Sequence, residues 1–192
     1  MTGLIILAAG ESSRLGQPKQ NLIFNGQTLL QRAAESGKAS ECETIIVVLG
    51  GNANEITPIE GTTILYNKYW KEGMASSIRR AMVEINNNPL FDKVIIMLCD
   101  QPFVSSALLN AIISKQIKTG KQIVGCAYNG TTGVPALFNR SLFAELLLLH
   151  GHEGAKNILK KHAGDIATIP FEQGGIDIDT IADYEQLRKL SD

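Results

Sequence analysis

Several broad classes of function find no support in this chain. Charge of one sign is lacking: 18 Lys and Arg stand against 19 Asp and Glu in 192 residues, a formal net charge of −1. A general binder of nucleic acid or of an anionic membrane would carry a basic excess. No basic run here exceeds a pair such as Lys160-Lys161. Long apolar runs are lacking too, since the stretch at 146–149 falls far short of the ~18 residues a membrane span needs. Cysteine is scarce. Cys42, Cys99 and Cys126 are widely spaced and form no C-x-x-C, the usage of a reducing compartment, and they read as small buried hydrophobes. His150, His152 and His162 lack H-x-x-x-H spacing, which argues against zinc. Residues 1–3 lead into an apolar run without a basic segment and read as the start of a first strand, not a signal peptide. A cytoplasmic protein is expected, with no nucleic-acid or membrane partner.

Apolar patterning is abundant. Hydrophobic residues make up 44% of the chain, enough for one domain spanning 1–192 with a sizeable core. Residues 3–8 (GLIILA), 44–49 (TIIVVL), 62–66 and 93–98 (KVIIML) are nearly continuous apolar segments, as strands buried on both faces require. Helical spacing fills 28–38, 75–85 and the stretch from Leu108 to Ile117, the last behind Ser105-Ser106 as a source of the N-cap. Further on, 122–127 and 133–138 read as strands joined by the turn Asn129-Gly130. Helices are then expected at 140–149 and 153–161, a strand at 166–170, a turn at Gly174-Gly175 and a last helix over 180–190. This alternation predicts an α/β, three-layer, doubly wound fold with a mostly parallel sheet. Ligands in such sheets sit beyond the carboxyl ends of the strands, which directs attention to the residues after Leu7, Leu49, Tyr66 and Leu98.

The loop after the first strand reads Leu7-Ala8-Ala9-Gly10-Glu11-Ser12-Ser13-Arg14-Leu15-Gly16-Gln17-Pro18-Lys19. Small residues let backbone approach a ligand, and successive N–H groups can cradle phosphate oxygens. Arg14 and Lys19 add positive charge, with Lys19 expected to be solvated. Gly10 and Gly16 do not fit G-x-G-x-x-G, and no Lys-Ser/Thr follows the second glycine as in a P-loop. A glycine-rich turn with two solvated basic residues is the plainer reading of the loop alone.

The loop resembles the L-A-A-G-x-S-x-R-x-G-x-x-K motif of nucleotidyltransferases with the glycosyltransferase-A-like fold, and among them the molybdenum cofactor cytidylyltransferase branch. The segment from Asn67 through Trp70, Gly73 and Met74 to Ser76-Ser77 is similar to that family's N-x-x-W-x-x-G-M-x-S-S. Asp100-Gln101-Pro102 resembles its D-x-P, Gly133-Val134-Pro135 its G-x-P, and Asp177-Ile178-Asp179-Thr180 its D-I-D-T. Two positions depart from the pattern: His152 stands where the family often has Asp after glycine, and Ile181-Ala182 replaces Pro-Glu.

Carboxylates near a nucleoside triphosphate make sense if a divalent cation lies between them and the phosphates, and Mg²⁺ takes one or two carboxylates plus phosphates and waters. Asp100 follows an apolar strand, and Asp177 and Asp179 point the same way if extended. The plain alternatives are that Asp100 opens a turn and Asp179 caps the last helix. The resemblance implies a metal on Asp100 and Asp179, with Asp177 as the alternative ligand and Mn²⁺ as a possible substitute. It also implies Arg14, Lys19 and Asp100 as catalytic. Nucleotide binding would fall to Leu7, Ala8, Ala9, Gly10, Gly16, Lys19, Asn67, Ser77 and Asp100. Ser76-Ser77 could equally be a helix cap, and Tyr69 and Trp70 could simply pack.

The reaction so implied is transfer of CMP from CTP to the phosphate of molybdopterin or molybdenum cofactor, with release of pyrophosphate and transient contact with a recipient molybdoenzyme. Three rivals remain: another small phosphate-bearing acceptor such as a sugar phosphate, GMP transfer to the same cofactor, and a non-catalytic cofactor carrier.

Overall fold

The computed structural model describes residues 1–12, 14–152 and 154–190. Ser13 in the first loop and Glu153, the expected start of a helix, lie outside the described residues. Nine strands and six α-helices follow one another among the described residues. The strands are β1 (Thr2–Ala8), β2 (Ile23–Phe24), β3 (Gln27–Thr28), β4 (Thr44–Leu49), β5 (Thr63–Tyr66), β6 (Lys93–Leu98), β7 (Ile123–Tyr128), β8 (Thr131–Asn139) and β9 (Ile166–Pro170). The helices are α1 (Leu29–Lys38), α2 (Met74–Asn87), α3 (Ser106–Thr119), α4 (Phe143–Leu147), α5 (Lys156–Lys161) and α6 (Ile181–Lys189).

Seven strands form one sheet in the order β5-β4-β1-β6-β8-β7-β9. β8 runs antiparallel to both its neighbours, and the remaining pairs are parallel. The sheet is therefore mostly parallel, as the continuous apolar runs required. Alternation along β1 shows the two-sided burial directly: Ile5 and Leu7 pack under α2, α4 and α5, while Leu4, Ile6 and Ala8 pack under α1 and α3. Helix ends follow the side chains available. Thr28 and Gln31 close a capping box at the start of α1, and Ser105 Oγ accepts from Leu108 N at the start of α3.

Two of the expected helices needed adjustment. The stretch 140–149 is a single turn of 3-10 helix followed by the short α4, and α5 begins at Lys156. Residues 176–179 carry no strand, although Ile176 is extended. The β2–β3 hairpin was not anticipated; its Asn25-Gly26 turn, with φ of 51° and 78°, is an ordinary hairpin signal. That hairpin matters for the site. Leu22, Phe24 and Leu29 form a third apolar cluster with Leu15, Ile178 and Leu187. Packing of fully buried Ile178 carries the next residue, Asp179, back to the loop after β1.

Candidate active site

Parallel pairing of β1 with β6 brings the ends of both strands to one edge. Leu7, Ala8, Ala9 and Gly10 there lie beside Leu98, Cys99 and Asp100, and together they line a cavity of about 350 Å³. Trp70, Met74, Ser77 and His152 close the other wall, and Lys19 and Lys71 contribute charge. Gln20 braces the first loop from beneath: its amide donates to the carbonyls of Ala8 at 2.6 Å and Gly10 at 3.2 Å. Ser12 Oγ accepts from the Lys19 amide at 3.0 Å, which turns the chain so that the lysine points inward.

Lys19 is not solvated as the sequence suggested. Its side chain is 13% exposed, and Nζ donates to Asp100 Oδ2 at 2.7 Å and Asp179 Oδ1 at 2.8 Å. Burial opposes the ammonium, but the two carboxylates outweigh it and hold its pKa well above the ordinary lysine value. Arg14 reaches the same cluster from the surface, donating to Asp179 Oδ2 at 3.0 Å. The Lys19 hydrogen bond is the main cause that holds the Asp179 carboxyl below the usual range, with Arg14 adding to it. Asp177 lies close by. Its neighbours strip part of its hydration and Asp100 and Asp179 add like charge, pushing its pKa up to about 6 although the residue stays exposed overall.

Asp179 does not cap the last helix; Thr180 does, in a capping box with Asp183. Asp100 has one buried oxygen, Oδ1, without a hydrogen-bond partner. A buried carboxylate oxygen of this kind suits a cation. Among the described residues no group of three or more His, Cys, Asp and Glu could hold a metal alone. Two carboxylates completed by phosphates and water are the donor set that Mg²⁺ or Mn²⁺ accepts.

Some expected residues lie elsewhere. Asn67 is buried outside the cavity: its amide donates to Ser76 and Ser77 at 2.8 and 2.9 Å, and its oxygen accepts from Tyr69 N. With its side chain engaged in this way, Asn67 braces α2. Gly16, at φ 66°, lets the loop turn but does not line the cavity. Ser76 and Ser77 sit inside α2, whose N-cap is Gly73, so neither caps it. Trp70 both packs and lines: it lies against Gly50 and Gly51, where a side chain would collide with it, and it faces the cavity. A larger groove of about 810 Å³ lies between β9 and α5, away from Lys19 and Asp100. No helix among the described residues is long and apolar enough to cross a membrane.

Comparison with known proteins gives the family and the fold. Residues 4–166 match the family model described as the MobA-like NTP transferase domain. Nicotine blue oxidoreductase of Paenarthrobacter nicotinovorans is 28% identical over 97% of this chain and 94% of its own length. Molybdenum cofactor cytidylyltransferase of Escherichia coli (strain K12) is 26% identical, covering 94% of this chain and 92% of the relative. Among solved structures, Rv0371c from Mycobacterium tuberculosis H37Rv superposes with a TM-score of 0.86 at 30% identity, covering 98% of this chain and 97% of that one. A further structure of Rv0371C, described as a complex with manganese, superposes at 0.81 with 27% identity over 98% of both chains.

Proposed function

Because the chain belongs to the MobA-like NTP transferase domain family, and is thereby a nucleotidyltransferase, we propose that it transfers CMP from CTP to the terminal phosphate of molybdopterin or of its molybdenum-loaded form. The observation that carries this reading is the Lys19–Asp100–Asp179 cluster beside the small-residue loop, with Asp100 Oδ1 left unpartnered. The similarity to the Escherichia coli cytidylyltransferase supports the acceptor. The redox activity in the name of the Paenarthrobacter relative stays with that protein, because the features here are those of phosphate chemistry.

An acceptor phosphate oxygen attacks the α-phosphorus, a new P–O bond forms, and the bond to pyrophosphate breaks. A phosphate nucleophile needs little proton removal near pH 7, so the protein's task is positioning and charge stabilisation. Backbone N–H groups around Ala9 and Gly10 receive the nucleotide's phosphates, and Gly16 serves only to turn the loop. Lys19 and Arg14 balance the charge that grows on the departing pyrophosphate. Asp100 and Asp179 would hold a Mg²⁺, for which Mn²⁺ could substitute. When bound, that ion offsets phosphate charge and polarises the reacting phosphorus. One domain spanning 1–192 suffices for this reaction, and its product calls for a brief contact with a recipient molybdoenzyme.

The test is pyrophosphate release from each of the four common nucleoside triphosphates against an acceptor panel that includes molybdopterin. CTP with molybdopterin should give the highest rate. A different acceptor in first place would correct the substrate, and no release from any pair would refute the transferase reading.

A further inference from the structure

Glu72 and Arg79 lie outside the cavity, yet they build part of its wall. Arg79 donates to both oxygens of Glu72, at 2.8 and 2.6 Å, and its Nη1 also donates to the carbonyl of Leu149 at 2.5 Å. Gly151 N donates to Glu72 Oε1 at 3.3 Å, and Ala75 N donates to the Gly151 carbonyl at 3.3 Å. Gly73 completes the contact, because a Cβ there would sit 2.4 Å from the Gly151 oxygen and 2.8 Å from His152 Cα. Residues 149–152 are thus clamped onto the first turn of α2, and the residue this presents to the cavity is His152.

We propose that Glu72 and Arg79 are positioning residues for nucleotide binding, acting through the 149–152 segment to hold His152 against the bound nucleotide. This rests on the nucleotidyltransferase reading above. The geometry argues for a fixed wall. Arg79 satisfies a carboxylate and a carbonyl on two different segments at once, which a guanidinium can do and an ammonium does poorly. Removing Glu72 frees the Gly151 amide and removing Arg79 frees the Leu149 carbonyl, so either change lets the wall retreat from the ligand without loss of any group that touches it.

Trp70 is the single tryptophan of the chain and lines the same cavity, so its fluorescence reports occupancy without an acceptor. CTP, GTP, ATP and UTP would be titrated against the wild type, Glu72→Gln, Arg79→Lys, His152→Ala and the double variant Glu72→Gln/His152→Ala, with Tm measured on each. Glu72→Gln and Arg79→Lys should each weaken binding about tenfold, the size of one hydrogen bond to a charged group. In the His152→Ala background, Glu72→Gln should add nothing, because its route to the ligand is gone. A purely structural clamp would lower Tm and leave Kd alone. Wild-type affinity in both single variants, or an equal loss with and without His152, would overturn the proposal. Failure of every nucleotide to change wild-type Trp70 emission would overturn the nucleotide reading itself.

Discussion

Replacing Lys19 by Met removes a charge and keeps most of the apolar stem. The ammonium sits 2.7 Å from Asp100 Oδ2 and 2.8 Å from Asp179 Oδ1, with its own side chain and that of Asp100 almost fully buried. Breaking a buried pair from one side costs about 3–5 kcal/mol, because the surviving charge is left without a partner. Asp179 is 45% exposed and partly solvated, which lowers the figure for Lys19→Met to about 2–4 kcal/mol. For a domain of this length each kcal/mol moves Tm by about 2–4 °C, so a fall of about 4–16 °C is expected by calorimetry at pH 7.5. Turnover should fall about 100-fold or more, as on loss of an aligned electrostatic donor. The stability of the ion cluster has two pH limits. Asp179, with its lowered pKa, contributes above the ordinary carboxylate range and loses that contribution as pH falls through its folded pKa. Lys19, with its raised pKa, contributes fully below the ordinary lysine value and loses that as pH rises through its folded pKa. The wild-type advantage over Lys19→Met should therefore be a plateau across neutral pH that collapses in acid. Equal Tm for the two proteins at pH 7.5, with turnover within threefold, would refute the argument.

Asp100→Asn and Asp179→Asn should each abolish most pyrophosphate release, and the double variant should be little worse, because residues that act as one unit do not lose function additively. Full activity in Asp179→Asn at ordinary Mg²⁺ would move the second ligand to Asp177. Asp177→Asn should stabilise the protein at pH 7.5. A carboxyl whose folded pKa is raised to about 6 loses stability as pH climbs from about 4 to 6, and its exposure limits the recoverable part to about 1 kcal/mol. The gain should vanish near pH 4, and a pH-independent gain would point to another cause. Ala9→Gly should shift preference from CTP toward GTP, by widening the cavity where the Ala9 side chain narrows it, and an unchanged CTP:GTP ratio of kcat/KM would retire that explanation.

What could be read from the sequence was what depends on neighbours along the chain. TIIVVL and KVIIML announced buried parallel strands, and Thr28 and Ser105 announced helix starts, because burial on two faces and end-capping are local demands. The leucines at 146–149 misled for the same reason: they look like a helical face, but α4 ends at Leu147 and Leu148 is exposed. The small-residue loop and Asp100 were legible as lying at one edge of the sheet, because each follows an apolar strand of a parallel pair. Burial of Lys19 was not, since it comes from Asp179, delivered by the packing of Ile178 against Leu15, Leu22 and Phe24. Gln20 gave no signal either, for nothing marks a glutamine that will bond the carbonyls of Ala8 and Gly10.

The central place of β1 has a consequence for the newborn chain. Leu4 pairs with Ile45 on one side and with Ile95 on the other, so β1 keeps one edge open until β6 has been made. At about 5–20 residues per second, roughly 3–10 s separate synthesis of its two partners. During that interval a twisted pair of Val- and Ile-rich strands shows an open hydrogen-bonding edge and two greasy faces, the very surfaces that seed aggregation. Yield in the cell should therefore depend on holdase chaperones at the ribosome exit and on how fast residues 50–98 are translated, even where the finished protein is fully stable.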